Sequence, residues 1–213
     1  MDPVVRRRVL LGYSVARRPI TAVEIGDPDS PRRALVVGCI HGNEPAGIAV
    51  DQALAAGPAP AEVDLWLLTD LNPDGVAAGT RQNAHGVDLN RNFPAGWRSA
   101  TPGSVSYSGP LPLSEPESRL AAALIRRIHP GLSIWFHQHL TVVDDSEGPL
   151  AVEARFARLV GLPERSLTDY PGSVVGWENA LLGPTAFVVE LPAGSLTAST
   201  TQRYAAAVRD VLP

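Results

Sequence analysis

An imidazole and a carboxylate stand three residues apart at His41 and Glu44, within the run Gly38-Cys39-Ile40-His41-Gly42-Asn43-Glu44. Nitrogen and carboxylate oxygen donors suit a divalent ion of borderline softness, zinc above all. A catalytic zinc needs three protein ligands and one position left open for water. His41 and Glu44 supply two by their spacing, so the third must come from elsewhere in the chain. His137 is the best placed, because it closes the stretch Ser133-Ile134-Trp135-Phe136, which reads as a buried strand. His139 is the rival: two residues on, it faces the same side if the strand continues. His85 sits in a polar loop and His129 precedes Pro130, and both read as solvated.

A metal-activated water also needs a base that accepts its proton and passes it to the leaving amine. Glu190 suits that task, as a lone carboxylate ending the apolar strand Ala186-Phe187-Val188-Val189. Arg81, Asn90 and Arg91 form an electrophilic set. The planar fork of arginine binds a carboxylate bidentately. An Asn-Arg pair on one loop suits the free α-carboxylate at the end of a peptide, and a separate arginine near the metal can stabilise a tetrahedral oxyanion. Asp88, within Val87-Asp88-Leu89, reads as an orienting residue rather than a reactant.

These residues need elements to place them. Ala34 to Ile40 is a continuous apolar run of the kind found in buried parallel strands. A helix should follow from Pro45 to about Ala56, with Gly57 as its stop. Val9 to Val15 and Ile20 to Ile25 read as an edge hairpin, and Val63 to Thr69 as the next strand. Asn72-Pro73-Asp74-Gly75 is a turn signal. Residues 76 to 113 read mostly as loop, a length that usually carries function. Ser114-Glu115-Pro116-Glu117 reads as a capping box with Ser114 as N-cap, opening a helix to about Ile128. Leu132 to Phe136 is a strand, Pro149 to Val160 a helix, Thr185 to Leu191 a strand and Thr197 to Val211 a helix. Alternating strands and helices predict an α/β fold, a mixed and mostly parallel sheet with helices on both faces. Ligands then sit beyond the carboxyl ends of the strands, where His41, His137 and Glu190 fall. The 213 residues are expected to form one catalytic domain, 1–213.

In this order the motifs resemble the zinc carboxypeptidases, from the Gly12-to-Ile20 phrase through Glu190. The resemblance implies one Zn2+ per chain on His41, Glu44 and His137. It implies Arg81 as oxyanion stabiliser, Asn90 and Arg91 as carboxylate clamp, and Glu190 as general base. The branch most similar is that of the murein peptide amidases, on His41 to Gly47, Asn83 to Pro94, Ser114 to Glu117, Thr141 to Asp144, Tyr170 to Ser173 and Val189 to Pro192. That branch cuts the amide between γ-D-glutamate and meso-diaminopimelate, so a small peptide with a free carboxylate is the expected substrate. Asp144, Asp145 or Glu178 could meet a second charged centre on such a substrate. Tyr170 is a candidate for the mobile tyrosine of digestive-type relatives. The rival readings are an N-acyl amino acid deacylase of the aspartoacylase or succinylglutamate desuccinylase type, an ordinary peptide carboxypeptidase, and a non-catalytic binding module.

Composition narrows the classes further. The eighteen basic residues are all arginine, which excludes a lysine nucleophile or Schiff base. A net charge of -4 gives no footprint for nucleic acid. The single Cys39 excludes an internal disulfide and reads as an inert core thiol. No apolar run is long enough to span a membrane. Arg6-Arg7-Arg8-Val9-Leu10-Leu11 resembles the start of a signal peptide, but its apolar stretch is short and Arg17-Arg18 interrupts it. The expectation is a cytoplasmic enzyme with no obligatory protein partner.

Overall fold

The computed structural model describes residues 4–146, 148–167 and 170–213. Its centre is an eight-stranded mixed sheet. In chain order the strands are β1 (Val5–Tyr13), β2 (Pro19–Gly26), β3 (Arg33–Val37), β4 (Asp64–Leu68), β5 (Leu132–Gln138), β6 (Val142–Asp144), β7 (Glu164–Arg165) and β8 (Ala186–Leu191). Their spatial order is β1-β2-β4-β3-β5-β8-β6-β7. The inner four, β4, β3, β5 and β8, run parallel, whereas β1 and β2 form the expected antiparallel hairpin at one edge. At the other edge β6 runs antiparallel to β8, and β7 adds only two exposed residues.

The apolar runs are continuous because both faces of the sheet are covered. Successive side chains alternate between faces. Ala34, Val36, Leu65, Leu67, Ile134 and Phe136 join one core cluster. It is closed by α1 (Ala46–Ala56), α4 (Leu150–Val160) and α6 (Ala198–Val211). Leu35, Val37, Trp66, Leu68 and Trp135 join the opposite cluster, covered by α3 (Pro116–Ile128) and α5 (Val174–Leu182).

Two local expectations are corrected. Asn72-Pro73-Asp74-Gly75 does not merely turn the chain; it opens a short helix, α2 (Pro73–Ala78). The Asn72 side chain caps it by accepting the Gly75 N–H at 3.0 Å, with Pro73 in the first turn, where its missing N–H costs nothing. The capping box at Ser114 does not form. Pro116 occupies the first turn of α3, which makes Glu115 the N-cap. Glu117 instead accepts from the Val15 N–H at 3.0 Å and from Asn83 Nδ2 at 3.0 Å. It thereby ties the edge hairpin and the long loop to α3.

That long loop contains one 3₁₀ turn, Leu89–Arg91, after α2 ends. Buried asparagines pin it. Asn83 accepts from the N–H of His85 and Val87, both at 3.1 Å, and donates to Glu115 at 2.8 Å. Asn92 donates to the Ser108 carbonyl at 2.8 Å and to Ser114 Oγ at 2.9 Å. Asp74, buried on α2, accepts from Ser14 Oγ and the Ala16 N–H at 2.9 Å each. The Gly12-to-Ile20 phrase is thus structural: it fastens the hairpin to the element that follows β4. Among the described residues no helix is long and apolar enough to cross a membrane.

Candidate active site

His41 and Glu44 lie in the bend between β3 and α1, where the Glu44 N–H bonds back to the His41 carbonyl at 2.9 Å. His137 and Glu190 are facing partners near the carboxyl ends of the parallel strands β5 and β8. The topology therefore brings three separated segments to one end of the sheet.

There His41 Nδ1, His137 Nδ1 and Glu44 Oε2 converge. The carboxylate oxygen is 2.9 Å from His41 Nδ1 and 3.1 Å from His137 Nδ1, and the two nitrogens are 3.2 Å apart. Donors about 2.0–2.1 Å from a tetrahedral zinc are separated by roughly 3.3 Å, so this triangle has nearly the size such an ion requires. All three residues are buried. His139, by contrast, is exposed at the cavity rim and belongs to no ligand group among the described residues. Of the two candidates left open by the sequence, the structure joins His137 to the triad.

The surrounding shell holds this geometry without a metal. Asp88, fully buried, accepts through Oδ1 from His41 Nε2 at 3.0 Å. That leaves the His41 Nδ1 lone pair free to point at an ion. Arg81 donates from Nη1 to Glu44 Oε1 and from Nε to Asp88 Oδ2, each at 2.9 Å. His41, Glu44, Arg81 and Asp88 thus close a ring. His137 has no such support: its buried Nε2 lacks a partner among the described residues. Burial alone would raise the Glu44 carboxyl, but hydrogen bonds to His137 and His41 hold it well below the usual range. Asp88 follows the same pattern, with His41 and Arg81 outweighing its burial. Burial alone would lower the His41 imidazole, and the bonds to Asp88 and Glu44 raise it instead.

The triad opens into a cavity of ≈ 410 Å³. Arg81, Asn90, Arg91 and Glu190 all line it. Asn90 accepts the Val174 N–H through Oδ1 at 2.9 Å, so its amide NH2 is the group available to a ligand. Arg91 is half-buried, and Tyr170 lies 4.8 Å from its guanidinium carbon, over which its ring stacks. Gly172 makes that placement possible: a Cβ there would sit 2.3 Å from the Arg91 carbonyl oxygen, and its φ is +76°. Glu190 accepts the Leu140 N–H at 3.2 Å.

Other residues resolve as follows. His85 is exposed but not merely solvated, since its Nδ1 meets Glu115 at 2.8 Å. His129 is an exposed left-handed cap at the end of α3. Cys39 is buried with its thiol pushed up by burial, and among the described residues that thiol bonds only the His41 carbonyl, which suits an inert core thiol. Glu178 faces away from the cavity into Ser133 and Trp135. Gln138 carried no signal in the sequence, yet it ties the site together. Its N–H bonds Glu44 at 3.2 Å, its Oε1 accepts the Ala46 N–H at 2.9 Å, and its Nε2 reaches the Pro192 carbonyl at 2.7 Å.

Residues 1–143 match the zinc carboxypeptidase family, and the chain belongs to it. It is a zinc metallopeptidase by that membership, and the His41-Glu44-His137 triad supplies the metal site the family requires. Murein peptide amidase A of Escherichia coli (strain K12) is 32% identical over 184 residues, 80% of this chain and 73% of that protein. The crystal structure of murein-tripeptide amidase MpaA from Escherichia coli O157 superposes with a TM-score of 0.81 at 26% identity, covering 100% of this chain and 93% of the other. Gamma-D-glutamyl-L-diamino acid endopeptidase 1 of Lysinibacillus sphaericus is 28% identical over 188 residues, 68% of this chain and 46% of that protein.

Proposed function

We propose that residues 1–213 act as one catalytic unit, a zinc-dependent amidase that releases meso-diaminopimelate from γ-D-glutamyl-meso-diaminopimelate in murein tripeptide. The observation carrying this reading is the convergence of three ligand atoms beside a cavity that also holds a carboxylate base and two arginines. The similarity to murein peptide amidases supports the choice of substrate.

His41, Glu44 and His137 would hold the zinc. The ion supplies Lewis acidity and lowers the pKa of a water beside it toward neutrality. Arg91, with the Asn90 amide, grips the free α-carboxylate of the terminal residue and so places the amide bond over the triad. Glu190 takes the proton from the attacking water and returns it to the leaving amine nitrogen, so the proton balance closes within one carboxylate. Arg81 contributes positive charge where the scissile carbonyl oxygen becomes anionic. Its two bonds to Glu44 and Asp88 fix the guanidinium in place before the substrate arrives. The setting that fits is the cytoplasm, acting on recycled wall fragments.

The test is mass spectrometry of zinc-loaded protein with L-Ala-γ-D-Glu-meso-diaminopimelate, beside a Glu190→Gln variant and a chelator control. Diaminopimelate should appear with the wild type alone, with the variant slower by about 10²–10⁴-fold at unchanged zinc content. No release from zinc-loaded wild type would overturn the reading and direct attention to ordinary C-terminal peptides and N-acyl amino acids.

A further inference from the structure

Three carboxylates among the described residues line the cavity: Glu44, Glu190 and Asp144. Glu44 is engaged by His41, His137 and Arg81. Glu190 stands at the position of the base. Asp144 has no part in either arrangement, yet it is only 8% exposed, and a buried carboxylate needs a counterpart. Its Oδ1 accepts two backbone N–H groups, from Ser146 at 3.0 Å and Leu167 at 2.9 Å. Those bonds fix the side chain. Its Oδ2 has no hydrogen-bond or ion-pair partner among the described residues.

The sheet register says where that oxygen lies. In the antiparallel pair β6·β8, Val142 faces Glu190 and Val143 faces Val189. Asp144 is therefore two residues along from the partner of Glu190. Facing residues share a side of the sheet and the side-chain period is two, so Asp144 and Glu190 project to the same side. The offset along the strand is about 6–7 Å. Val188, on that same side of β8, also lines the cavity. The arginines Arg81 and Arg91 supply the cavity's positive charge, and Asp144 gives it a negative point beyond the base. The charges of Asp144, Asp145 and Glu164 all reach the buried Glu153 nearby, so the ground around β6 is acidic. Arg165 pairs with Asp144 only through the backbone register of β6 and β7.

We infer that Asp144 is the specificity residue of this cavity, selecting a leaving amino acid whose side chain ends in an ammonium group. The inference rests on the amidase reading above and assigns to one residue the recognition of the leaving amino acid's second ammonium. An ammonium at Asp144 Oδ2 forms a charge-assisted hydrogen bond in a largely desolvated corner, whereas an uncharged or anionic side chain leaves the carboxylate unpaired.

Calorimetric titration of zinc-loaded protein with free meso-2,6-diaminopimelate and with 2-aminopimelate tests it. The two ligands differ by a single ammonium group. Wild type should bind the diamino acid tighter by on the order of 10- to 100-fold. Asp144→Asn, which keeps the oxygen that holds Ser146 and Leu167, should erase that preference and leave 2-aminopimelate binding nearly unchanged. Equal binding of both ligands by the wild type would overturn the inference whatever the variant does. So would a variant that retains the preference, or one that weakens both ligands alike. An Asp144-dependent preference without peptide cleavage would retire the amidase reading and keep this one. Cleavage without the preference would do the reverse.

Discussion

Asp88 shows how much of a metal site lies outside its ligands. One oxygen orients His41 and the other anchors Arg81, so neutralising it disturbs two groups at once. Asp88→Asn should weaken zinc by about 10- to 100-fold, as loss of such a supporting carboxylate typically does. Competition with a chromogenic chelator measures this, and an unchanged affinity would show that the ring around His41 does not prepare the ligand. The gathering of His41, Glu44, His137 and Glu190 at one end of the sheet was legible in the sequence because each ends or follows an apolar run, and strand ends are where an open sheet gathers ligands. The orienting role of Asp88 was legible for a similar reason, since Val87 and Leu89 mark it as a buried acid. The Arg81 bridge between Glu44 and Asp88 was not. It joins residues 37 and 7 positions apart, and no periodicity encodes such a contact. Gln138 escaped because a neutral amide next to a ligand has no chemistry of its own to flag it.

The main elements follow from pattern alone: the edge hairpin, the buried strands β3, β4, β5 and β8, and the helices α1, α3, α4 and α6. Those that did not were short or ambiguous. Strands β6 and β7 have three and two residues, too few for alternation to register. Helix α5 has Gly176 inside it, which lowers helix propensity, although Ser173 caps it by accepting the Gly176 N–H at 3.1 Å. At this scale the decisive contact is between the bend carrying His41 and the start of α2. A Cβ on Gly42 would stand 1.9 Å from the Gly75 carbonyl carbon and 2.3 Å from the Val76 nitrogen, backbone atoms that cannot rotate away. Gly42→Ala should therefore cost about 1–3 kcal/mol or more and misplace His41. A urea midpoint unchanged from wild type, with full zinc content, would contradict that packing.

Across the whole molecule, buried acids set the pH behaviour of the metal-free protein. Burial lifts Glu178 to about 7, opposed only by its bonds from Ser133 and Trp135. Burial, with the charges of Asp144, Asp145 and Glu164, lifts Glu153 to about 8. Between the ordinary glutamate value of 4.5 and these values, the folded chain holds protons that the unfolded chain releases. Unfolding free energy should therefore fall as pH rises from about 5 to 7, by roughly 1 kcal/mol per pH unit for each such group. Denaturation midpoints across that range should show the slope, and Glu178→Gln should lower it by roughly half, because Glu153 still contributes; a flat wild-type profile would contradict the assignment. The two borders of the sheet act on a different quantity, the colloidal behaviour of the protein. Strand β1 has an unpaired outer side and carries Arg6, Arg7 and Arg8 in succession, all exposed, while the far border ends in the charged pair Glu164-Arg165. An edge strand is an open template for a second copy. Here a copy docking its β1 against this one must bring its own arginine triplet against the first. The run that resembles an export signal thus sets like charges against growth of the sheet by pairing of this border with itself.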